Sequence, residues 1–227
     1  MSPTLNGQHV VITGGDGGLG IAVVAAFEGA GATCHLPVFG ATAAAPVGSA
    51  IVTGNVNLTD EASVEAYYAG LPPISASIHL AGGFLARPIA ETTKADLEKQ
   101  ISLNIVTTFL CCREAVKALR KNGGGRIVNV AARVVEQPPG GMTAYVATKA
   151  AVAGLTRSLA AEVLKEKILV NAVLPSIIDT PANRASMPKA DHDKWPKAEE
   201  LARTILWLAS PDNALTTGAL VPVYGEG

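Results

Sequence analysis

Short β-branched runs separated by stretches of helical composition set the rhythm of this chain. His9–Thr13 (HVVIT), Thr33 to Val38, Ala50 to Asn55, Ala76 to Leu80, Arg126 to Val130, Leu169 to Leu174 and Leu220 to Tyr224 read as seven strands. Between them, helices are expected over Ile21 to Glu28, from Thr59-Asp60-Glu61 to Gly70, from Thr93 to about Lys121, from Tyr145 to about Lys165, and over Lys197 to Ala209. The Thr59 hydroxyl is the expected N-cap of the second helix, and Thr93 with Asp96 resembles a capping box on the third. Gly40–Ser49 lacks helical patterning and reads as a loop, and Ala182 to Pro196 as an irregular polar segment. On the third helix Leu97, Ile101, Ile105 and Phe109 form an apolar stripe, expected to face the core with Asn104 along its edge. Strands alternating with helices, without repeat or linker, predict one α/β domain over residues 1–227, a Rossmann-type doubly wound parallel sheet.

Composition narrows the function. The 227 residues are 48% hydrophobic with a formal net charge of −1, which suits one well-cored domain and argues against nucleic acid or an anionic membrane as main partner. Cys34, Cys111 and Cys112 are an odd set with two adjacent members. They suggest buried hydrophobes in a reducing compartment rather than a disulfide framework. No basic segment followed by a long apolar run opens the sequence, so a cytoplasmic protein is expected.

Two stretches carry candidate chemistry. After the first strand, Gly14-Gly15-Asp16-Gly17-Gly18-Leu19-Gly20 places five glycines in seven positions ahead of a helix. Such a turn lets a pyrophosphate approach the backbone, and the helix N-terminus offers it N–H groups and partial positive charge. Further on, Tyr145 and Lys149 stand four apart, one turn from each other on a helix, in line with Val152, Thr156 and Leu159. An ammonium beside a phenol is expected to lower the tyrosine pKa and fit it for proton transfer. At the end of the second strand, where an acid selects NAD and an arginine NADP, stand Val38 and Phe39. Asp16 would repel a further phosphate, which tilts the expected cofactor from NAD(P)H in general toward NADH.

Taken together these residues resemble the short-chain dehydrogenase/reductase family. The carriers are Thr13-Gly14-x-x-x-Gly18-x-Gly20, Ala81-Gly82, Asn104, Tyr145-x-x-x-Lys149, and Pro175 to Thr180. The resemblance implies a nicotinamide dinucleotide held by Gly14, Asp16, Gly18, Leu19, Gly20, Val38, Asn57, Ala81, Gly82, Tyr145, Lys149, Pro175, Ile178 and Thr180. It also implies Tyr145 as proton donor, Lys149 as its partner, Asn104 as anchor of a relay water, and self-association through the two long helices as a homodimer or homotetramer.

The family's substrate-binding serine, thirteen residues before the tyrosine, is Ala132 here. A methyl group cannot polarise a carbonyl. Asn57 stands where an acid often contacts adenine, and Ser176 replaces a glycine. The alanine, Ala81-Gly82-Gly83-Phe84, and the run from Leu174 through Asp191 with Trp195 are similar to quinonoid dihydropteridine reductases. That resemblance implies an electron-poor C=N substrate protonated on nitrogen, under a substrate loop at about 176–196. Alternatives are a reductase of another carbonyl or imine, and a catalytically silent dinucleotide-binding protein. Arg133, His79, Asp179 and His192 stay open between substrate contact and structural duty; a satisfied structural histidine suits His79 and a solvent-facing position His192. No metal-ligand spacing is visible.

Overall fold

In the computed structural model, which describes residues 4–226, seven strands pair in parallel into one sheet. Residues 1–3 and 227, the ends of the expected domain, lie outside the described residues. The strands are β1 (His9–Thr13), β2 (Thr33–Pro37), β3 (Ile51–Thr53), β4 (Ile74–His79), β5 (Gly125–Val130), β6 (Ile168–Pro175) and β7 (Leu220–Val223). Their order is β3-β2-β1-β4-β5-β6-β7. The chain builds outward from β1 on one side, then returns to build from β4 on the other. That reversal opens a crevice at the carboxyl ends of β1 and β4, where ligands of open α/β sheets sit.

The helices are α1 (Gly20–Gly29), α2 (Glu61–Ala69), α3 (Lys94–Gln100), α4 (Thr107–Lys121), α5 (Thr143–Val163), α6 (Pro181–Ser186) and α7 (Ala198–Ala209). Alternation along the strands divides the core between two faces. Val10, Ile12, Ile78 and Val128 pack with Phe27 of α1 and Ile205 of α7. Val11, Ile127 and Val170 face the other way, toward Val64 and Tyr68 of α2, Cys111 and Leu119 of α4, and Val163 of α5. Gly40–Ser49 forms no helix, as its composition implies.

Three local expectations are corrected. Asp60, not Thr59, caps α2, its carboxylate accepting the Ser63 amide at 2.8 Å while the Thr59 hydroxyl donates to Asn57. The segment after β6 is not wholly irregular, because Thr180 caps the short α6 with Pro181 in its first turn. The stripe of Leu97, Ile101, Ile105 and Phe109 does not face the core: Leu97 and Phe109 are exposed, and Ile101 and Ile105 half-buried. The buried edge carries Asn104, Thr108, Cys111, Ala115 and Leu119 instead. A 3.6-residue period drawn through this stretch fails because Ile101–Val106 is wound as a π-helix. The Thr93–Asp96 capping box is present, with both reciprocal bonds.

Candidate active site

The glycine turn between β1 and α1 is shaped by contacts that forbid side chains. Gly14 has φ +67°, and a Cβ there would lie 2.9 Å from the Ala81 amide nitrogen; one at Gly20 would lie 2.1 Å from the Gly14 carbonyl oxygen. Gly18 faces Thr180, whose Cγ2 would be 3.0 Å from an added Cβ. The turn is thereby closed against β4 on one side and brought under α6 on the other. No side chain caps the N-terminus of α1 and no acid occupies its first turn, so its positive end is open to an anion. This bare cradle fits a dinucleotide pyrophosphate. The Asp16 carboxylate accepts the Ala44 amide at 2.9 Å and ties the turn to the loop after β2. Val38 is buried at the start of that loop.

Across the crevice, Asn104 sits in the π-helical stretch, fully buried. Its Oδ1 accepts the Gly83 amide at 2.9 Å, and its Nδ2 lies within donating distance of the Gly83 carbonyl, Gln100 Oε1 and Thr148 Oγ1. The Thr148 hydroxyl donates to the Tyr145 carbonyl. One amide therefore clamps the loop after β4 to the second turn of α5. Gly82 must be glycine here, since its Cβ would sit 2.7 Å from Asn104 Oδ1. The main-chain carbonyl of Asn104 accepts the Thr108 hydroxyl at 2.8 Å. Gln100 and Thr148 carry no site signal in the sequence; their contacts with Asn104 bring them into the site.

Lys149 is buried and its Nζ donates to the Val130 carbonyl at the end of β5, 2.9 Å away. The same nitrogen stands 5.9 Å from the centroid of the Tyr145 ring. Burial disfavours the charged form of each group. The Tyr145 hydroxyl is pushed up to about 12, and the Lys149 ammonium down to about 8. The expected lowering of the phenol pKa is thus corrected: desolvation of the ring outweighs a lysine pointed at a carbonyl. The Phe84 ring, largely exposed, meets Tyr145 edge-on at 5.0 Å.

The groups left open by the sequence now have positions. Ala132 is buried beside the start of a 3₁₀ turn, Arg133–Val135. Arg133 lies over the Tyr224 ring at 5.1 Å and donates to Gln137. His79 is buried, with Nδ1–H donating to Asn129 Oδ1 at 2.8 Å and Nε2 beside the Ser77 hydroxyl at 2.9 Å. Burial holds its pKa down at about 4, so it is neutral and structural. His192 is not solvent-facing as expected. It is half-buried, donates to the Met187 carbonyl at 2.8 Å, and its ring lies 4.6 Å from that of Trp195. Asp179 accepts a fork from Arg184, and its backbone forms an isolated bridge with Pro196–Lys197, which closes the 180–196 loop at its base. Ile178 accepts the Asn183 side-chain amide through its carbonyl, and Pro175 ends β6. Asn57 Oδ1 is taken by Thr59, so only its Nδ2 remains for a ligand. All three cysteines are free and buried, with Cys34 and Cys111 pushed up to about 12 and Cys112 also raised, which makes them poor redox sensors.

A glycine cradle at the switch point, facing a tyrosine and lysine one helical turn apart, agrees with comparison to known proteins. The short chain dehydrogenase model matches residues 8–191. The chain belongs to the short-chain dehydrogenase family. It is 29% identical to L-xylulose reductase of Bos taurus, over 99% of this chain and 98% of that one, and 32% identical to galactitol 2-dehydrogenase of Rhizobium johnstonii, over 96% and 94%. A solved short chain dehydrogenase/reductase family protein superposes with a TM-score of 0.89 at 28% identity, covering 97% of each chain. Like other members of this family, the protein is an oxidoreductase that uses NAD(P)H. No helix among the described residues is long and apolar enough to cross a membrane, and these residues hold no cluster of metal-ligating side chains.

Proposed function

We propose that this short-chain dehydrogenase reduces a conjugated C=N substrate of the quinonoid dihydropterin kind, with NADH as reductant. The observation that carries the reading is a buried Ala132 in an otherwise complete site, with Tyr145, Lys149 and Asn104 intact around it. A ketone needs a donor on its oxygen as charge develops, and the loss of one such donor costs about 10²–10³ in rate. An electron-poor ring that ends with a proton on nitrogen has no alkoxide to stabilise, so a methyl at position 132 is tolerated. The edge-on pair of Phe84 and Tyr145 offers such a flat ring an aromatic wall.

The bound cofactor supplies hydride; the chain supplies everything else. The glycine turn and the N-terminal end of α1 would hold the pyrophosphate, Thr180 and Ile178 would line the opposite wall, and Lys149 would hold the ribose. Tyr145, un-ionised at neutral pH because it is buried, is in the state required of a proton donor. Asn104 fixes the loop after β4 and anchors the water that returns a proton to Tyr145. The substrate loop at about 176–196, which includes Trp195, covers the substrate and excludes water.

NADH is favoured over NADPH because Asp16 places a carboxylate at the turn, and because residues 36–49 contain neither lysine nor arginine to receive a 2′-phosphate. Exposed Leu97 and Phe109 supply apolar surface for self-association into a homodimer or homotetramer. The buried free thiols suit a cytoplasmic protein.

The test follows NADH and NADPH oxidation with quinonoid dihydropterin beside ketones, ketoses and imines. Faster turnover of the dihydropterin with NADH is the expected result; turnover of ketones alone removes the reading. The relatives named for L-xylulose and galactitol favour the second reading, a reductase of another carbonyl or imine. A catalytically silent protein would bind NADH in a fluorescence titration and oxidise it with none of the panel.

A further inference from the structure

The opposite end of the sheet holds a second concavity, which the oxidoreductase reading does not use. It is a groove of about 720 Å³ at the amino-terminal edges of β4 and β5, walled by Leu164, Leu169, Ala209 and Pro211. Two cations line it, Arg126 and Lys167, and no carboxylate does. Arg126 is the second residue of β5, while the Val130 carbonyl that receives Lys149 ends that strand. Four residue steps separate the two, so the groove lies about 13 Å from the catalytic lysine.

Arg126 is the feature that needs a ligand. Its guanidinium is half-buried and makes no ion pair among the described residues, in contrast to Arg87, Arg113, Arg120 and Arg184, each of which meets an acid. One nitrogen, Nη2, donates to the Asn213 carbonyl at 2.9 Å. The Nε–H is shielded from solvent and has no acceptor. The Asn213 carbonyl and the nearby C-terminal end of α7 offset part of the charge, but neither supplies a counter-ion. A buried donor without a partner and a desolvated charge without an opposite charge are both costly, and an oxyanion removes both costs in one contact. Lys167, exposed and held at φ +58° across the Gly123–Gly125 turn, is the second cation within the same groove.

We propose that this groove binds a small organic oxyanion, a carboxylate or phosphate monoester on an apolar body, with Arg126 and Lys167 receiving the anionic head. The leucine and proline walls take the apolar body. The site is separate from the dinucleotide crevice and does not depend on the substrate reading.

The experiment is a titration of ¹⁵N-labelled full-length protein with 1-naphthoate, 1-naphthyl phosphate and the neutral control 1-naphthamide, reading the amides of Gly123, Gly124 and Gly125. Saturable shifts are expected with one or both anions and not with the amide, and the responding anion identifies the head group. Arg126→Met should weaken that binding at least about tenfold, the loss of a charge-assisted contact, with NADH affinity unchanged. Lys167→Asn, which tolerates the left-handed backbone, should weaken it severalfold and serves if Arg126→Met does not fold. Equal binding of the amide, non-saturable shifts, or affinity unchanged in the variants would overturn the proposal.

Discussion

The Lys149 ammonium is directed at the Val130 carbonyl, 2.9 Å away, while the centroid of the Tyr145 ring lies 5.9 Å from the same nitrogen. The pair is thus anchored separately, and each group answers to its own burial. Lys149 titrates at about 8 in the folded chain and near its ordinary 10.5 when unfolded. Between those values the unfolded state binds more protons, so stability rises with pH. The cofactor-free protein should gain about 2 kcal/mol from pH 8 to 10. Lys149→Met should flatten that slope, as read from urea midpoints across the range. The opposite effect of Tyr145, raised to about 12, begins only above pH 10.

Tyr145→Phe removes the proposed proton donor and leaves the ring against Phe84. Turnover should fall by about 10²–10⁴, with the NADH dissociation constant, measured by fluorescence, changed by less than about threefold. Undiminished turnover would deny Tyr145 its role.

Ala132→Ser places a hydroxyl at the buried position where the family carries its serine. Ketone reduction should rise at least about tenfold while dihydropterin reduction changes little. A variant as slow with ketones as the parent would show that the missing hydroxyl is not what limits them.

Gly82→Ala would drive a methyl into Asn104 Oδ1 and toward Lys149 Nζ, at 2.7 and 3.6 Å. It should destabilise by about 1–3 kcal/mol and weaken NADH binding. Gly29→Ala, with nothing within 4 Å of its added Cβ, should be near neutral in the same denaturation assay.

Phe109→Asp places a charge on the exposed apolar edge of α4. Sedimentation should show dissociation toward monomer, with the fold retained by circular dichroism.

Much of the fold is legible in the sequence because a parallel sheet writes itself as continuous Val and Ile runs punctuated by glycine turns. All seven strands lie where those runs stand, with ends shifted by one or two residues. The glycine turn and the Tyr145/Lys149 spacing are legible for the same reason: each is local. What escapes is set by packing across the chain. The Leu97–Phe109 stripe follows an ideal helical period and points outward because the winding changes between those residues. The Lys149 partner is a carbonyl on another strand, and the raised Tyr145 pKa is a property of its burial. His192 is polar in a polar segment, yet Met187 and Trp195 draw it in.

The widened turn at Ile101–Val106 has one more consequence. A helix wound this way holds a surplus residue, and removal of a single residue from it would let α3 and α4 merge into one regular rod. Everything upstream would then rotate by about 100° relative to α4. Asn104 would swing off the β4 loop, and the outward row of Leu97 and Ile101 would turn inward. The candidate site and the proposed association surface are therefore geared to the same irregularity, so a one-residue deletion there should disable both together.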